Sequence, residues 1–533
     1  MKIKYIHLLV LCFISILTHG QNMNIGLLGQ TSYTNDNNDI WGYTDSTTGK
    51  EYALVGTTAG VSIVDISSAT PQKKQFIQGP YSIWRDLKTW SHYTYVTHDN
   101  TFAWNTIPDH GILIIDMDSV NQVNPRYKTM NPIIPLAGGG FDTLKTAHNL
   151  YIDENGFCYL FGANISGGGA LIFDLNDDPW NPTYVGIFDN YYLHDGMVRG
   201  DTLWGSAVYA GLFTVVDVTV KDSTVLLATR ATPNAFTHNT WISDNNKVLF
   251  TTDEVGAAYL TAYDVSDLSN ISELDRIQSS IGVSVIPHNA HVYRQWVVTS
   301  YYTSGVQIVD AKYPELLVEV GYYDTSPSFS GNGFYGNWGA FPYFASEKII
   351  CSDIEEGLYV LEPEYIEASR VHVVVYDSLT GAPLSNALVS FAQASTISST
   401  SIDGLVNVGT PLNIQDSVNV ALMGYVSVDM THQWNQGNFD TLRISMINVN
   451  NIGADEWNLR AIKISPNPSS GHFNLNGIDL GSFQLLDQLG RIVEMGDIVE
   501  GSVDLYSVHP NGPYILKVST PEGRTQFPVF LLP

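Results

Sequence analysis

Residues 60–67 read GVSIVDIS, a short strand pattern that ends near an aspartate, and the pattern returns along the first two thirds of the chain. Alternating or β-branched apolar residues fill each copy, as is typical of strands. Successive aspartates lie 43 to 58 positions apart, which allows four short strands per repeat. The other copies are HGILIIDMD (110–118), GGALIFDLN (168–176), GLFTVVDVT (211–219), YLTAYDVS (259–266), GVQIVDAK (305–312) and the divergent EGLYVLEP (356–363).

Repeats of this length predict an all-β, seven-bladed β-propeller over residues 21–366. Helix-period segments are nearly absent, and one all-β unit cannot bury both of its faces alone, so the units must pack against one another. The seventh copy stops at its third strand. We therefore expect residues 24–30 to supply the missing outer strand and close the ring.

Composition and charge narrow the possible partners. The 533 residues include 25 basic and 53 acidic side chains, for a net charge of −28, which makes nucleic acid and anionic membranes poor partners. With 44% hydrophobic and 12% aromatic residues, the chain can bury a large core. After residue 20 only Cys158 and Cys351 remain, so no disulfide framework is expected.

The first 20 residues have the pattern of a secretory signal peptide, with Lys2 and Lys4 before an apolar stretch at 8–17 and small or polar residues up to Gly20. Later apolar runs are too short to span a bilayer, so no transmembrane segment is expected after cleavage. The mature protein is expected to be secreted or held at the outer-membrane surface.

The strand repeats carry a family resemblance. Together with WGYTDSTTGKEYALVGTTAGVSIVDIS (41–67) and IWRDLK (83–88), they resemble the LVIVD-repeat propeller of the choice-of-anchor B family. The resemblance extends from about residue 40 to residue 361. It implies a β-propeller with a variable C-terminal anchoring region, and it implies no particular activity.

Two smaller domains are predicted after the propeller. Residues 367–447 include VHVVVYDSLTGAPLSNALVSFA (371–392) and resemble the carboxypeptidase-regulatory type of β-sandwich, which implies a spacer. Residues 448–461 are predicted to be a linker.

Residues 462–533 contain IKISPNPSSGHFNL (462–475), FQLLDQLGRIV (483–493) and DLYSVHPNGPYILKV (504–518). These segments resemble the type A C-terminal sorting domain of the type IX secretion system of Bacteroidetes, which implies export through that machinery. The matching positions are Pro466, Asn467, Pro468, Gly471, Asp487, Gly490, Arg491, Gly512 and Tyr514.

Four consecutive repeats place a histidine 22 to 26 residues before the terminal aspartate: His148, His194, His238 and His288. Each blade of a propeller presents its first strand to the axis, so these side chains are expected at one mouth of the central channel. In the first repeat, we place Trp41 at the position that corresponds to these histidines. The second strands should return to this mouth. The candidate ligand-binding residues are therefore Trp84, Arg85, Asp86, Asp253, Asp353 and Trp338.

Three roles remain open for the histidines. Neutral imidazoles beside carboxylates suit a divalent transition metal, with all four as candidate ligands. Alternatively, each ring bonds the backbone of the neighbouring blade and serves the structure alone, or the mouth is a metal-free ligand or catalytic site. Aromatic residues near the mouth, including Tyr302, are expected to pack in the core. His98, His110 and His291 are expected at the surface or in hairpins.

Familiar catalytic motifs are missing from the sequence, including the serine nucleophile elbow, HExxH, the dinucleotide-binding glycine pattern and the P-loop. The first hypothesis is a non-enzymatic protein that recognises an extracellular ligand through the channel mouth. The second is a metal-dependent polysaccharide lyase or hydrolase that uses the four histidines.

Overall fold

The computed structural model describes residues 22–68, 70–99, 110–449, 463–520 and 523–532. The predicted signal peptide and most of the predicted linker lie outside these residues. The chain divides into two compact units between Ile366 and Glu367. Among the described residues, helix is confined to two short 3-10 turns, Met117–Ser119 and Val208–Ala210, and no helix could cross a membrane.

The first unit consists of antiparallel sheets, which we call blades 1 to 7 in chain order. Two strands precede them, β1 (Asn22–Met23) and β2 (Ile25–Thr31). Blade 1 has β3 (Asn37–Thr44), β4 (Glu51–Thr57), β5 (Gly60–Asp65) and β6 (Gln72–Gln78). Blade 2 has β7 (Leu87–Trp90), β8 (Tyr93–Val96), β9 (Ile112–Asp116) and β10 (Tyr127–Met130), and the hairpin β11 (Ile133–Pro135) and β12 (Phe141–Thr143) follows it.

The other five blades repeat this order. Blade 3 has β13 (Asn149–Ile152), β14 (Phe157–Phe161), β15 (Ala170–Asp174) and β16 (Thr183–Phe188). Blade 4 has β17 (Asp195–Arg199), β18 (Thr202–Ala207), β19 (Leu212–Asp217) and β20 (Val225–Ala231). Blade 5 has β21 (Thr237–Ile242), β22 (Val248–Asp253), β23 (Leu260–Asp264) and β24 (Ser272–Ile277). Blade 6 has β25 (Ala290–Tyr293), β26 (Trp296–Ser300), β27 (Val306–Asp310) and β28 (Val318–Tyr323), and blade 7 has β29 (Asn337–Phe341), β30 (Ile349–Asp353) and β31 (Gly357–Pro363).

The inner strands of the blades contact one another in a closed circuit. β3 contacts β7, and the contacts continue through β13, β17, β21 and β25; β29 of blade 7 then contacts both β26 of blade 6 and β3 of blade 1. Radial packing of small antiparallel sheets in a ring is the architecture of a β-propeller, as the repeat predicted. The apolar core lies between neighbouring blades, as where Phe213 of blade 4 packs with Trp241 of blade 5.

The repeated aspartate ends the third strand of each blade for a local reason. In blade 1, the Oδ1 atom of Asp65 accepts a hydrogen bond from the backbone N–H of Ser67, two residues later, at 3.0 Å. Asp217 and Asp264 make the same bond to Thr219 and Ser266. Such a turn, closed by an aspartate side chain, directs the chain out of the strand. The motif that defines the repeat is therefore a turn signal.

The N-terminal strands close the ring. β2 pairs antiparallel with β31, from Ile25 opposite Pro363 to Thr31 opposite Leu358, and so forms the fourth strand of blade 7, as expected. β1 was not anticipated: Asn22 and Met23 add a fifth strand to blade 6 by pairing with β28. Cys158 and Cys351 are buried free thiols, in agreement with the absence of a disulfide framework.

The second unit begins with two sheets that surround an apolar core including Val373, Val389 and Trp434. The strands of one sheet are β32 (Ser369–Asp377), β35 (Leu405–Thr410) and β38 (Phe439–Met446). Those of the other are β33 (Leu388–Phe391), β34 (Thr396–Ser399), β36 (Gln415–Ala421) and β37 (Val428–Gln433).

The remaining described residues of this unit form one sheet in the order β39-β40-β43-β42-β41-β44-β45. Its strands are β39 (Lys463–Ser465), β40 (His472–Asn476), β41 (Leu480–Leu486), β42 (Ile492–Val499), β43 (Ser502–Asp504), β44 (Gly512–Thr520) and β45 (Gly523–Leu531). Two residues from the motifs quoted for residues 462–493 shape this sheet. Asn467 bonds the backbone of Pro528 and Phe530, and Asp487 accepts from the backbone N–H of Leu489 and from both the backbone and the guanidinium of Arg491.

Ring closure predicts a graded loss of stability on truncation. A propeller that begins at residue 32 loses six β2–β31 residue pairs, which we expect to cost about 3–6 kcal/mol at roughly 1 kcal/mol per net hydrogen bond. A propeller that begins at residue 24 loses only the two residue pairs of β1. Its free energy of unfolding should therefore fall by less than half as much. Urea denaturation measures both. Equal stability of the two truncations would contradict the closing role of β2.

Candidate functional site

The four predicted histidines form one continuous arc in the channel. Each histidine lies at or just before the inner strand of its blade. The centroids of successive rings are 4.1 Å apart for His148 and His194, 4.3 Å for His194 and His238, and 4.3 Å for His238 and His288. They line a cavity with about 380 Å³ of empty space, part of it open to solvent. The periodicity therefore predicted correctly which histidines meet.

Two tryptophans flank the arc. The ring centroid of Trp84 is 5.8 Å from that of His148, and the centroid of Trp338 is 5.0 Å from that of His288. Both indoles line the cavity, so their predicted place at the mouth is correct. The cavity also has polar walls, and its lining residues are Asp39, Trp84, Arg85, Asp86, His148, Asn149, His194, His238, Glu254, His288, Asn289 and Trp338.

Hydrogen bonds orient the rings at both ends of the arc. His288 Nδ1 lies 2.6 Å from the carbonyl oxygen of Trp338 in blade 7, and since a carbonyl can only accept, Nδ1 carries the proton. The neutral ring then presents an unprotonated Nε2. His148 Nδ1 lies 2.9 Å from Asp99 Oδ2. The backbone bond expected of a purely structural histidine is thus present at His288, whereas His148 is held by a carboxylate.

The two middle rings face the backbone of the next histidine along the arc. The His194 ring interacts with the backbone of His238, and the His238 ring with the backbone of His288. The Nδ1 atoms of His194 and His238 are buried and form no hydrogen bond of ordinary geometry. The four rings do not share one orientation, since His148 Nδ1 bonds Asp99 of blade 2 and His288 Nδ1 bonds the backbone of Trp338 in blade 7.

Burial keeps these imidazoles neutral. Loss of solvation, followed by repulsion from His148, lowers the pKa of His238 to about 3. Burial and repulsion from His238 lower the pKa of His288 to about 3 as well, and the pKa of His194 falls well below its ordinary value for the same reasons. At neutral pH the three rings retain lone pairs that can bind a cation.

Glu254 completes the site, and the sequence analysis did not select it. It follows β22 of blade 5, and its two carboxylate oxygens each lie 3.6 Å from an Nε2 atom, one in His238 and the other in His288. The Tyr302 hydroxyl donates to Glu254 Oε1 at 2.6 Å. Tyr302, expected as core packing, thus also positions a carboxylate. One ligand atom from each of Glu254, His238 and His288 lies within 4.8 Å of the others.

Asp253 and Asp353, the last residues of β22 and β30, bond neighbouring loops instead of lining the cavity, where they were predicted. Asp253 accepts hydrogen bonds from the hydroxyl of Thr232 and from the backbone N–H groups of Asn234 and Phe236. Asp353 is likewise bonded to the Thr325 hydroxyl. Glu254, the residue after β22, lines the cavity in place of Asp253.

Arg85 and Asp86 line the cavity, but their charges are already engaged. The Arg85 guanidinium donates to the carbonyl oxygens of Thr57 at 3.1 Å and Pro80 at 2.5 Å, and burial lowers its pKa to about 10. Asp86 forms an ion pair with Lys88 at 2.8 Å. These two side chains hold blades 1 and 2 together rather than presenting free charge to a ligand.

A buried charged layer continues along the channel from Asp86. Burial and the charge of Asp86 raise the pKa of Asp39, and the two carboxyls share a hydrogen bond. Burial also raises the pKa of Asp195 to about 6. For Lys88, burial favours the neutral amine, but the attraction of Asp86 and Asp39 outweighs it and raises the pKa. Lys88 is thus a cation among carboxylates.

Blade 1 departs from the predicted register. Asn37 pairs with Thr57 and Trp41 with Leu54, so Asn38 and Asp39, rather than Trp41, occupy the positions that His238 and Asn239 hold in blade 5. Trp41 lies further along the strand, where its ring packs against Phe341 at 4.9 Å. The irregular pairing between Asn37 and Ile40 matches those of blade 5 (Thr237/Asn239) and blade 7 (Asn337/Gly339), so the position of Trp41 corresponds to that of Trp241.

The remaining propeller histidines are less exposed than expected. His98 and His291 are buried, at 4% and 6% exposure, whereas a surface or hairpin position was predicted. The His291 ring packs 4.6 Å from Trp241 and 6.1 Å from Trp41. Aromatic neighbours on the inner strands of blades 1 and 5 enclose it.

Comparisons with known proteins add little to this geometry. No protein-family model matches the chain, and no curated protein matches it. Among solved structures, the β-propeller domain of Cps50 (Swd1) from Myceliophteria thermophila is similar over 64% of this chain and 100% of its own length. The sequence identity is 8% and the TM-score is 0.42.

The burial of His291 predicts a specific pH dependence. Burial and the charge of Lys88 lower its pKa to about 3, so the unfolded chain binds a proton below pH ~6.5 that the folded chain does not. Folding stability is therefore lost as the pH falls, by about 1.4 kcal/mol per pH unit. His291→Phe should remove this loss, so the variant should gain on the wild type between pH 6.5 and 4.5 in urea denaturation. A stability difference between His291→Phe and the wild type that does not change with pH would contradict the lowered pKa of His291.

Proposed function

We propose that the channel mouth binds a divalent transition metal through His238, His288 and Glu254, and that the protein recognises its ligand there. The observation that carries the proposal is the approach of both Nε2 atoms to the carboxylate, 3.6 Å each. Because His288 Nδ1 holds the ring proton, its Nε2 faces Glu254 with a lone pair. A lone pair and a carboxylate repel each other unless a cation or proton lies between them.

The donor set indicates which cation would fit. Two imidazole nitrogens and one carboxylate suit Zn²⁺, Fe²⁺, Mn²⁺ or Ni²⁺ better than Ca²⁺, which takes six or more oxygens. Metal–ligand distances of about 2.0–2.2 Å in a tetrahedral site separate donor atoms by roughly 3.3 Å. The two nitrogen–oxygen distances of 3.6 Å and a spread of the three ligand atoms within 4.8 Å require the side chains to close around a cation. Three protein ligands leave positions open for a ligand.

The surroundings of the three ligands support this assignment. His288 donates Nδ1–H to a backbone carbonyl, and Tyr302 donates to Glu254, so groups behind the ligands orient both an imidazole and the carboxylate. His238 and His288 are 4% and 3% exposed at the side chain, which limits competition by water.

A metal-binding measurement tests the proposal. Purified protein should bind Zn²⁺ in isothermal titration, and His238→Ala or Glu254→Gln should weaken the affinity by at least ~100-fold. Tyr302→Phe, which removes only an orienting bond, should weaken it about tenfold. Asp253→Asn is the matched control, because it changes the adjacent carboxyl on the same strand and should leave the affinity within about threefold. Wild-type affinity in Glu254→Gln would overturn the proposal.

We also propose that the protein reaches the cell surface by the type IX route, as an LVIVD-type propeller with a C-terminal sorting domain. The support is the signal-like pattern of residues 1–20 and the ordered motifs after residue 462. Both lie outside the propeller, which fits a role in export rather than in ligand recognition.

Deletion of residues 462–533 tests this route. In a host with type IX machinery, we expect the truncated protein to lose its place at the cell surface and accumulate in the periplasm. Immunoblotting of cell fractions, with surface proteolysis, measures the distribution. Periplasmic accumulation also shows that the propeller is still made and folded. Undiminished surface display would refute the sorting assignment.

A further inference from the structure

A second functional element lies on the same cavity wall, at the other end of the arc from Glu254. His148 lines the cavity, and its Nδ1 is 2.9 Å from Asp99 Oδ2. The carboxylate accepts a hydrogen bond from the Nδ1–H group, which leaves Nε2 as the ring nitrogen that is available to another group. The side chains of His148 and Asp99 are 12% and 13% exposed, compared with 3% for His288. His148 is thus more accessible to small molecules than His288.

An imidazole oriented by a carboxylate is the arrangement that general-base catalysis uses. His148 is separated from His238 by one ring, His194, with successive centroids 4.1 and 4.3 Å apart. A cation held by His238, His288 and Glu254 would polarise a carbonyl group or a water molecule in the same cavity. The two elements together have the composition of a hydrolytic site.

We propose that the propeller hydrolyses a neutral carboxylic ester, with His148 as the general base and Asp99 as its positioning residue. This inference rests on the metal site proposed above. His148 Nε2 takes a proton from water as the water oxygen bonds to the ester carbonyl carbon. The bond from that carbon to the alkoxy oxygen then breaks, and the proton passes to the departing alkoxide. The products are a carboxylic acid and an alcohol.

The charges in the cavity select the substrate class. Asp39, Asp86 and Glu254 line it, and the guanidinium of Arg85 is committed to two backbone carbonyls. An anionic phosphate or sulfate ester would find no uncommitted cationic side chain among the residues that line the cavity. Glycoside cleavage needs two carboxyls that act directly on the sugar, whereas Glu254 bonds Tyr302 and Asp99 bonds His148. A neutral carboxylic ester needs neither an uncommitted cationic side chain nor two carboxyls that act directly on the substrate.

The test follows p-nitrophenyl acetate hydrolysis by the full chain with stoichiometric Zn²⁺, and measures bound metal in every variant. We expect His148→Ala to lower kcat at least ~100-fold and Asp99→Asn at least ~10-fold, both with unchanged metal content. Free imidazole should restore part of the rate to His148→Ala, which a merely structural role would not allow. His472→Ala is the matched control, because His472 forms an exposed pair with Asp504 at 2.6 Å in the second unit.

The possible outcomes separate the two proposals. A metal-loaded wild type that hydrolyses the ester no faster than free Zn²⁺, or a metal-loaded His148→Ala that keeps its rate, overturns the hydrolase inference and leaves the metal site standing. Faster turnover of p-nitrophenyl phosphate than of the acetate overturns the substrate class. Ester hydrolysis that depends on His148 but proceeds equally fast without bound metal overturns the role of the metal in the reaction and leaves that of His148 standing.

Discussion

Seven inner strands have to share one axis, and the interior of this propeller follows from that constraint. A side chain on an inner strand meets its counterparts from neighbouring blades, so a residue type repeated at one register becomes a continuous layer. The imidazoles of blades 3 to 6 form such a layer, with ring centroids 4.1 to 4.3 Å apart. Residues more than 40 positions apart in sequence are thereby brought into contact without any long-range motif.

The same constraint explains how charge is tolerated along the channel. Asp39, Asp86 and Asp195 would each be costly to bury alone, and Lys88 supplies the cation that offsets them. Its ammonium group also lies 4.3 Å from the ring centroid of Trp41, a second favourable contact for a buried cation. Lys88 offsets part of the negative charge in this layer, while the imidazole layer stays neutral. Adjacent layers of one channel therefore differ, one being ionic and the other neutral.

The sequence predicted the elements that repeat and missed those that break the repeat. The aspartate motif, the ring closure by residues 25–31 and the meeting of four histidines all follow from periodicity, which is visible in one sequence. Glu254 was missed in favour of Asp253, because two adjacent carboxylates at the end of β22 face different surroundings, the cavity and a loop. Asp39 was missed because Trp41 was placed at the position of the histidines, whereas Trp41 corresponds to Trp241. Lys88 is not part of a repeated motif, and only three-dimensional packing shows which carboxylates it interacts with.

The pairing of β2 with β31 has a consequence for biogenesis. Ile25 is among the first residues of the propeller to leave the ribosome, yet its partner Pro363 is made more than 300 residues later. Six blades can form in order from local hairpins, but the ring can be sealed only when both ends of the domain are present. Until then the two outer edges remain open to other chains. A factor that shields a nascent or translocating edge strand would act on this protein at that step, when every other blade is already complete.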